Sequence, residues 1–145
     1  MNAERTMLAY VFGFTGTLPF LWGAVTQFSH LSLPANLLGA QLQISYGIVI
    51  FAYMSGTHWN FAARHQQGEN PSSYIFAVVP ALLLFAAMLF VPQQLHLALM
   101  IGFPMLLLVD RYFASVGATP AWWMNLRLWL SSIVTLSLLI TYIAS

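Results

Sequence analysis

The chain has 145 residues, of which 60% are hydrophobic and only 5% are charged, with a formal net charge of +1. Soluble domains carry about 25% charged residues, so this chain has too few polar groups to cover a surface in water. The composition predicts an integral membrane protein, and the small net charge argues against nucleic acid as a partner because nucleic-acid binding needs a basic surface.

Five apolar stretches are long enough to cross a bilayer, since a helical span needs about 20 mostly apolar residues. They cover about residues 6–28, 37–63, 71–91, 95–113 and 120–142. The first exceeds the usual 7–15-residue core of a signal peptide, so we predict that it is a retained span. The connections are short, and we predict one all-α domain over residues 1–145, a polytopic membrane protein with five transmembrane helices in one bundle.

The arginines predict the orientation of this bundle. Arg5, Arg64, Arg111 and Arg127 all lie on or near the side of the N-terminus, and the connections on the other side contain no arginine or lysine. Because positive residues are enriched on the cytoplasmic side, we predict a cytoplasmic N-terminus and a C-terminus outside.

Polar residues of three different spans fall at one depth in the inner leaflet. His58 lies one to two turns above the inner end of the second span, Asp110 near the inner end of the fourth, and Arg127 about two turns into the fifth. Asn60, Arg111 and Asn125 belong to the same layer. Ionisable groups inside a bilayer are costly, so this layer is a candidate functional site.

A structural interpretation of the same residues stays open. Asp110 and Arg111 can mark the membrane edge, and Arg127 can extend to the headgroups or fasten the fifth helix to the fourth. The second span contains polar residues and the glycines Gly39, Gly47 and Gly56, which favours a helix packed on several sides or one that lines a pocket.

Several sites are disfavoured by what the sequence lacks. There is no cysteine, and no HExxH, GxSxG or Walker A pattern occurs. His30 and His96 are expected at the outer side, and His58 and His65 at the inner side, so a two-histidine metal or haem site within the chain is disfavoured. We predict no metal site and no dedicated cofactor, although a quinone or a bound lipid fits the polar layer.

Three motifs carry a resemblance to a known family. They are Gly16-Thr17-Leu18-Pro19-Phe20, Tyr46 followed by Ser55-Gly56-Thr57-His58-Trp59, and Asp110 followed by Pro120, Trp122 and Arg127-Leu128. In order and spacing the chain resembles the small five-span membrane family of unknown function that includes mitochondrial transmembrane protein 69 and many bacterial homologues. The chain has Asn60 where that family is expected to have a small residue and Trp123 where it is expected to have tyrosine.

The resemblance implies a bacterial or mitochondrial inner membrane but no activity, and we predict a multi-pass protein of a bacterial inner (plasma) membrane. Together with the polar layer it gives one candidate ligand-binding set: His58, Trp59, Asn60, Asp110, Arg111, Trp122, Arg127, Tyr46 and Gly56.

Three functions are compatible with this set. The favoured one is a non-enzymatic protein whose inner-leaflet pocket holds a lipid headgroup or a quinone, or docks a membrane complex or a second copy. The alternatives are a small proton-coupled transporter or channel-like protein, and a membrane enzyme with His58 as base and Asp110 as the residue that orients it. No nucleophile motif supports the enzyme.

Overall fold

Apolar stretches in a bilayer must satisfy their backbone hydrogen bonds internally, which favours helices. The computed structural model describes residues 3–29, 32–64 and 71–145, and over these ranges the chain contains helices and no strand. The α-helices are α1 (Ala3–Thr15), α2 (Leu18–Thr26), α3 (Gly39–Arg64), α4 (Pro71–Phe90), α5 (Leu95–Ser115) and α6 (Trp123–Ala144). Short 3-10 turns, Ala35–Leu37 and Pro92–Gln94, precede α3 and α5.

Four helical segments of the described chain are long and apolar enough to cross a membrane: Ala3–Thr26, Ser72–Phe90, Pro92–Ser115 and Trp123–Ala144. The prediction of a multi-pass helical membrane protein therefore holds. Helix α3 has 26 residues, a length of about 39 Å, but its polar side chains lower its hydropathy. Five spans and their orientation stay predictions.

The first span is broken into two helices. Helix α1 ends at Thr15 and α2 begins at Leu18, so the break lies at Gly16 and Thr17, just before Pro19 in the first turn of α2. Proline has no amide hydrogen to donate to the carbonyl four residues earlier. In a continuous helix, the Thr15 carbonyl would therefore lack its hydrogen bond from residue 19. Pro80 and Pro104, by contrast, lie inside helices α4 and α5 that continue past them.

Helix α3 lies at the centre of the bundle and packs against α2, α4, α5 and α6. The core beside it is built on Phe20, Phe51 and Phe103, whose rings meet edge to face at centroid distances of 5.6 Å. Leu99 and Leu106 of α5 complete this apolar layer. Other helices therefore cover Gln43, Ser55 and His58 of α3, whereas Gln41 and Asn60 of the same helix are exposed.

The outer helices present large apolar side chains to their surroundings. Helix α1 has no buried residue, and α4 exposes many large side chains, among them Phe85, Leu89 and Phe90. Such a surface suits lipid and not water.

The turn between α5 and α6 brings the end of one helix back over the start of the next. Gly117 has φ of +75°, a left-handed conformation that glycine adopts without steric cost. The Ala118 amide then donates to the Phe113 carbonyl at 2.9 Å, which caps α5. Helix α6 begins at Trp123, three residues later than Pro120, because Pro120 lies in a turn that accepts the Trp123 amide.

Candidate functional site

Asp110 is the centre of a buried polar cluster. Its Oδ1 accepts hydrogen bonds from His58 Nε2 at 2.9 Å and from Trp123 Nε1 at 2.8 Å. Its Oδ2 accepts from Arg127 Nε at 2.6 Å. The exposed fractions of His58, Asp110 and Arg127 are 0%, 0% and 4%, so the carboxylate is bound by protein donors and not by solvent.

The local fold explains why these residues meet. His58 lies near the end of α3 and Asp110 near the end of α5, while Arg127 lies just past the first turn of α6. Since α5 and α6 are joined by the tight turn at Gly117, Arg127 faces back onto Asp110. The structure thus brings together the three residues that the depth argument places in one layer.

An aromatic layer closes the cluster on one side. The Phe113 ring stacks on the His58 imidazole with a centroid distance of 5.7 Å and an interplanar angle of 15°. Phe61 packs edge to face on Trp123 at 5.1 Å. These rings exclude water and strengthen the electrostatic interaction between Asp110 and Arg127.

Two donors beside the cluster have no hydrogen-bond partner among the described residues. They are Arg127 Nη2 and Trp122 Nε1, both enclosed. Buried donors are normally satisfied, and an unsatisfied one costs about 1–3 kcal/mol. Ser55 Oγ, His58 Nδ1, Ser131 Oγ and Thr135 Oγ1 of the described chain also lack a partner, so the two donors belong to a wider set.

Both donors belong to residues that line one cavity, the Arg127 cavity, between α1, α3 and the start of α6. Its volume is about 300 Å³, and its walls include Ala9, Phe12, Tyr53 and Met54. A smaller, mostly apolar cleft of about 130 Å³, the Phe103 cleft, adjoins it and shares Phe12, Gly13, Met54, Leu130 and Arg127 with it. Neither His58 nor Asp110 lines the cavity or the cleft.

Five of the predicted site residues lie away from this cluster. Trp59 is 50% exposed and packs on Tyr74, with a ring centroid distance of 5.0 Å. Asn60, Arg111 and Gly56 are also exposed, and a Cβ at Gly56 would meet nothing within 4 Å.

Tyr46 lies about three turns before His58 on α3, and its hydroxyl donates to the Gly16 carbonyl at 3.1 Å. The structure therefore does not bring these five residues together with the cluster, because their side chains lie on other helix faces or at other depths.

Trp123 is a cluster residue that the sequence analysis missed. The predicted set names Trp122, but Trp123 makes the bond to Asp110, and both tryptophans line the cavity. Adjacent tryptophans at a helix start point in different directions, and only the exact start of α6 decides which one faces the carboxylate.

A second polar cluster, also missed, lies near the other end of the bundle. Gln43 Nε2 donates to the carbonyls of Phe20 at 2.8 Å and Ser137 at 3.3 Å, and Gln43 Oε1 lies 3.1 Å from His96 Nε2. Gln43 is fully buried and His96 nearly so. His96 is therefore part of the packed interior, and the polar amide ties α2, α3, α5 and α6 together. His30 and His65 lie outside the described residues.

No three His, Asp or Glu side chains of the described ranges lie close enough together to hold a metal ion. The residues that line the Arg127 cavity include the cation Arg127 and no carboxylate, so the cavity does not suit a cation.

Fold and site define a helical multi-pass membrane protein with a buried His–Asp–Arg cluster beside a cavity that Arg127 lines. The family model for a protein of unknown function (DUF3429) matches residues 6–143, and the chain belongs to that family. Comparison with the curated proteins and with the solved structures gave no match. The relation to mitochondrial transmembrane protein 69 stays a prediction.

Proposed function

We propose that this protein is a non-enzymatic binding protein that holds an amphipathic molecule of the inner leaflet in the Arg127 cavity. One observation carries the proposal: Arg127 is 4% exposed, yet its Nη2 has no partner in the described chain and its side chain lines a cavity of about 300 Å³. A ligand whose oxygen atoms reached these enclosed donors would supply Arg127 Nη2 and Trp122 Nε1 with the acceptors that the described chain lacks.

The membrane arrangement is part of the proposal. We infer five spans, with α3 crossing as the shielded central helix, the N-terminus in the cytoplasm and the protein in a bacterial inner membrane. The length of α3, its coverage by four other helices and the distribution of the arginines support this. The predicted docking to a membrane complex or a second copy stays untested.

The geometry favours binding over catalysis. His58 uses Nε2 for Asp110, and its Nδ1 is enclosed beside Phe113 and absent from the cavity wall. A general base must reach the proton that it removes, and this imidazole reaches none in the cavity.

The geometry also disfavours a proton path through the bundle. The two polar clusters are separated by about 22 Å along α3, from Gln43 to His58. The apolar layer of Phe20, Phe51 and Phe103 fills the space between them.

The test is mass spectrometry of amphipathic molecules that copurify with the protein in mild detergent. The key variant is Trp122→Phe, which removes the unpartnered donor and keeps an aromatic ring, and its matched control is Trp129→Phe at an exposed position of α6. We expect one lipid or quinone species to be depleted in Trp122→Phe and retained in the control. Equal retention of every species in the two variants would refute the proposal.

A further inference from the structure

The Arg127 cavity also carries information about the charge of its ligand. We propose that it selects a neutral head with carbonyl oxygens on a flat ring, the chemical class of the isoprenoid quinones, over an anionic phospholipid head. The inference rests on the proposed function and names the ligand class for that site.

The first argument is that the positive charge of Arg127 is already compensated. Asp110 Oδ2 lies 2.6 Å from Arg127 Nε, and both groups are buried. An anionic head on the free edge of the guanidinium would add a second negative charge beside Asp110 where the dielectric constant is low. Such a charge is costly unless a further cation balances it.

The second argument is that Arg127 is the one arginine among the residues that line the cavity, and the described chain has no lysine. His58 bonds to Asp110 through Nε2 and is not part of the cavity wall. Arg5, about one turn before Ala9 on α1, is exposed, and its neighbour Glu4 has the opposite charge. A neutral acceptor keeps the charge of the site balanced.

The third argument is the shape of the space. Aromatic side chains of Phe12, Tyr53 and Trp122 stand around the cavity, and flat rings stack well on such walls. The Phe103 cleft continues from the cavity, has a smaller volume of about 130 Å³, and is lined mostly by apolar residues together with Thr17, Arg127 and Ser131. A flat head with an apolar tail fits this pair of spaces, and its carbonyl oxygens are the acceptors that Arg127 Nη2 and Trp122 Nε1 lack.

The experiment uses the full-length protein in detergent and two probes, decylubiquinone and phosphatidylglycerol, each measured by equilibrium binding to immobilised protein. We expect decylubiquinone to bind more tightly than phosphatidylglycerol. Trp122→Phe should lower the affinity for decylubiquinone about 3- to 10-fold, the loss expected for one hydrogen bond. Trp129→Phe should leave this affinity unchanged. Arg127→Lys, which keeps a cation for Asp110 but removes Nη2, should weaken it about 10-fold or more.

Two results would overturn the inference in distinguishable ways. If phosphatidylglycerol binds in a Trp122-dependent manner and decylubiquinone does not, the preference for a neutral headgroup is refuted and the proposed binding function is retained. If neither probe responds to Trp122→Phe more than to Trp129→Phe, the quinone-class assignment is refuted. If the copurification test also shows no difference, the proposed function is refuted as well. Since Trp122 Nε1 bonds to nothing in the described chain, this variant keeps the test valid even if Arg127→Lys does not fold.

Discussion

Arg127 Nε donates to Asp110 Oδ2 over 2.6 Å, and both side chains are enclosed by the bundle. Neither charge extends to the headgroups, although an arginine near a helix end commonly does so. Each charge therefore depends on the other. Removing one partner should lower the free energy of unfolding by more than the intact pair contributes to it. Removal of one member of a buried pair costs about 3–5 kcal/mol, whereas replacement of both by apolar residues is often neutral.

This asymmetry predicts the behaviour of a double variant. Asp110→Leu leaves the Arg127 guanidinium without a counter-charge, and we expect it to lose about 3–5 kcal/mol of stability. Asp110→Leu combined with Arg127→Met should be more stable than Asp110→Leu alone. Thermal unfolding in detergent, followed by circular dichroism, measures both. A double variant that is less stable than the single one would show that the residues do not depend on each other.

The two adjacent tryptophans should respond in opposite ways. Trp123→Phe removes the 2.8 Å bond to Asp110 while keeping a ring against Phe61, and we expect a loss of about 1–2 kcal/mol. Trp122→Phe removes a donor without a partner, so stability without ligand should stay unchanged or rise. The same unfolding measurement applies, and a Trp122→Phe protein as unstable as Trp123→Phe would contradict the assignment of their roles.

The sequence predicted the helices and the meeting of His58, Asp110 and Arg127, because depth depends on residue number and topology alone. Trp59 and Asn60 share the depth of His58 but are exposed on another face of α3, so the structure does not bring them to the cluster. Depth places a residue in a layer, and only the packing of neighbouring helices decides which face of each helix is buried.

The Gln43–His96 contact was missed for a related reason. Histidine at position 96 follows the Pro92–Gln94 turn, and a position next to a turn suggests exposure. The structure buries it because α5 starts immediately at Leu95 and its first turn packs on α3. No pattern in the sequence pairs residue 43 with residue 96.

Glycines of the bundle differ in what they contact, which predicts opposite effects of the same substitution. A Cβ at Gly102 would lie 2.7 Å from Phe51 Cε2, and Phe51 is held edge to face by Phe103. We expect Gly102→Ala to lower the free energy of unfolding by about 1–3 kcal/mol, because the added methyl group overpacks the core. Gly56→Ala meets nothing within 4 Å and should be neutral or stabilising by up to about 1 kcal/mol. If Gly56→Ala is the more damaging variant in thermal unfolding, the packing of α3 against α5 is misassigned.

The buried amide of Gln43 should contribute to the stability of the bundle although it is far from the Arg127 cavity. Gln43→Met keeps the size of the side chain and removes three hydrogen bonds, and we expect a loss of about 1–2 kcal/mol because bonds between membrane helices are individually weak. Gln41→Met, at an exposed position of the same helix, is the matched control and should have little effect. Ligand binding should persist in both variants, and its loss in Gln43→Met alone would connect the two clusters functionally.

The membrane arrangement can be tested directly because the chain contains no cysteine. In intact cells we expect Asn36→Cys, in the exposed turn before α3, to react with a membrane-impermeant maleimide, because five spans with a cytoplasmic N-terminus put this turn outside. Ser115→Cys, exposed at the end of α5, should react only after the membrane is opened. If α3 did not cross, every later segment would change sides and Ser115→Cys would react in intact cells. The same experiment therefore decides both the orientation and the number of spans.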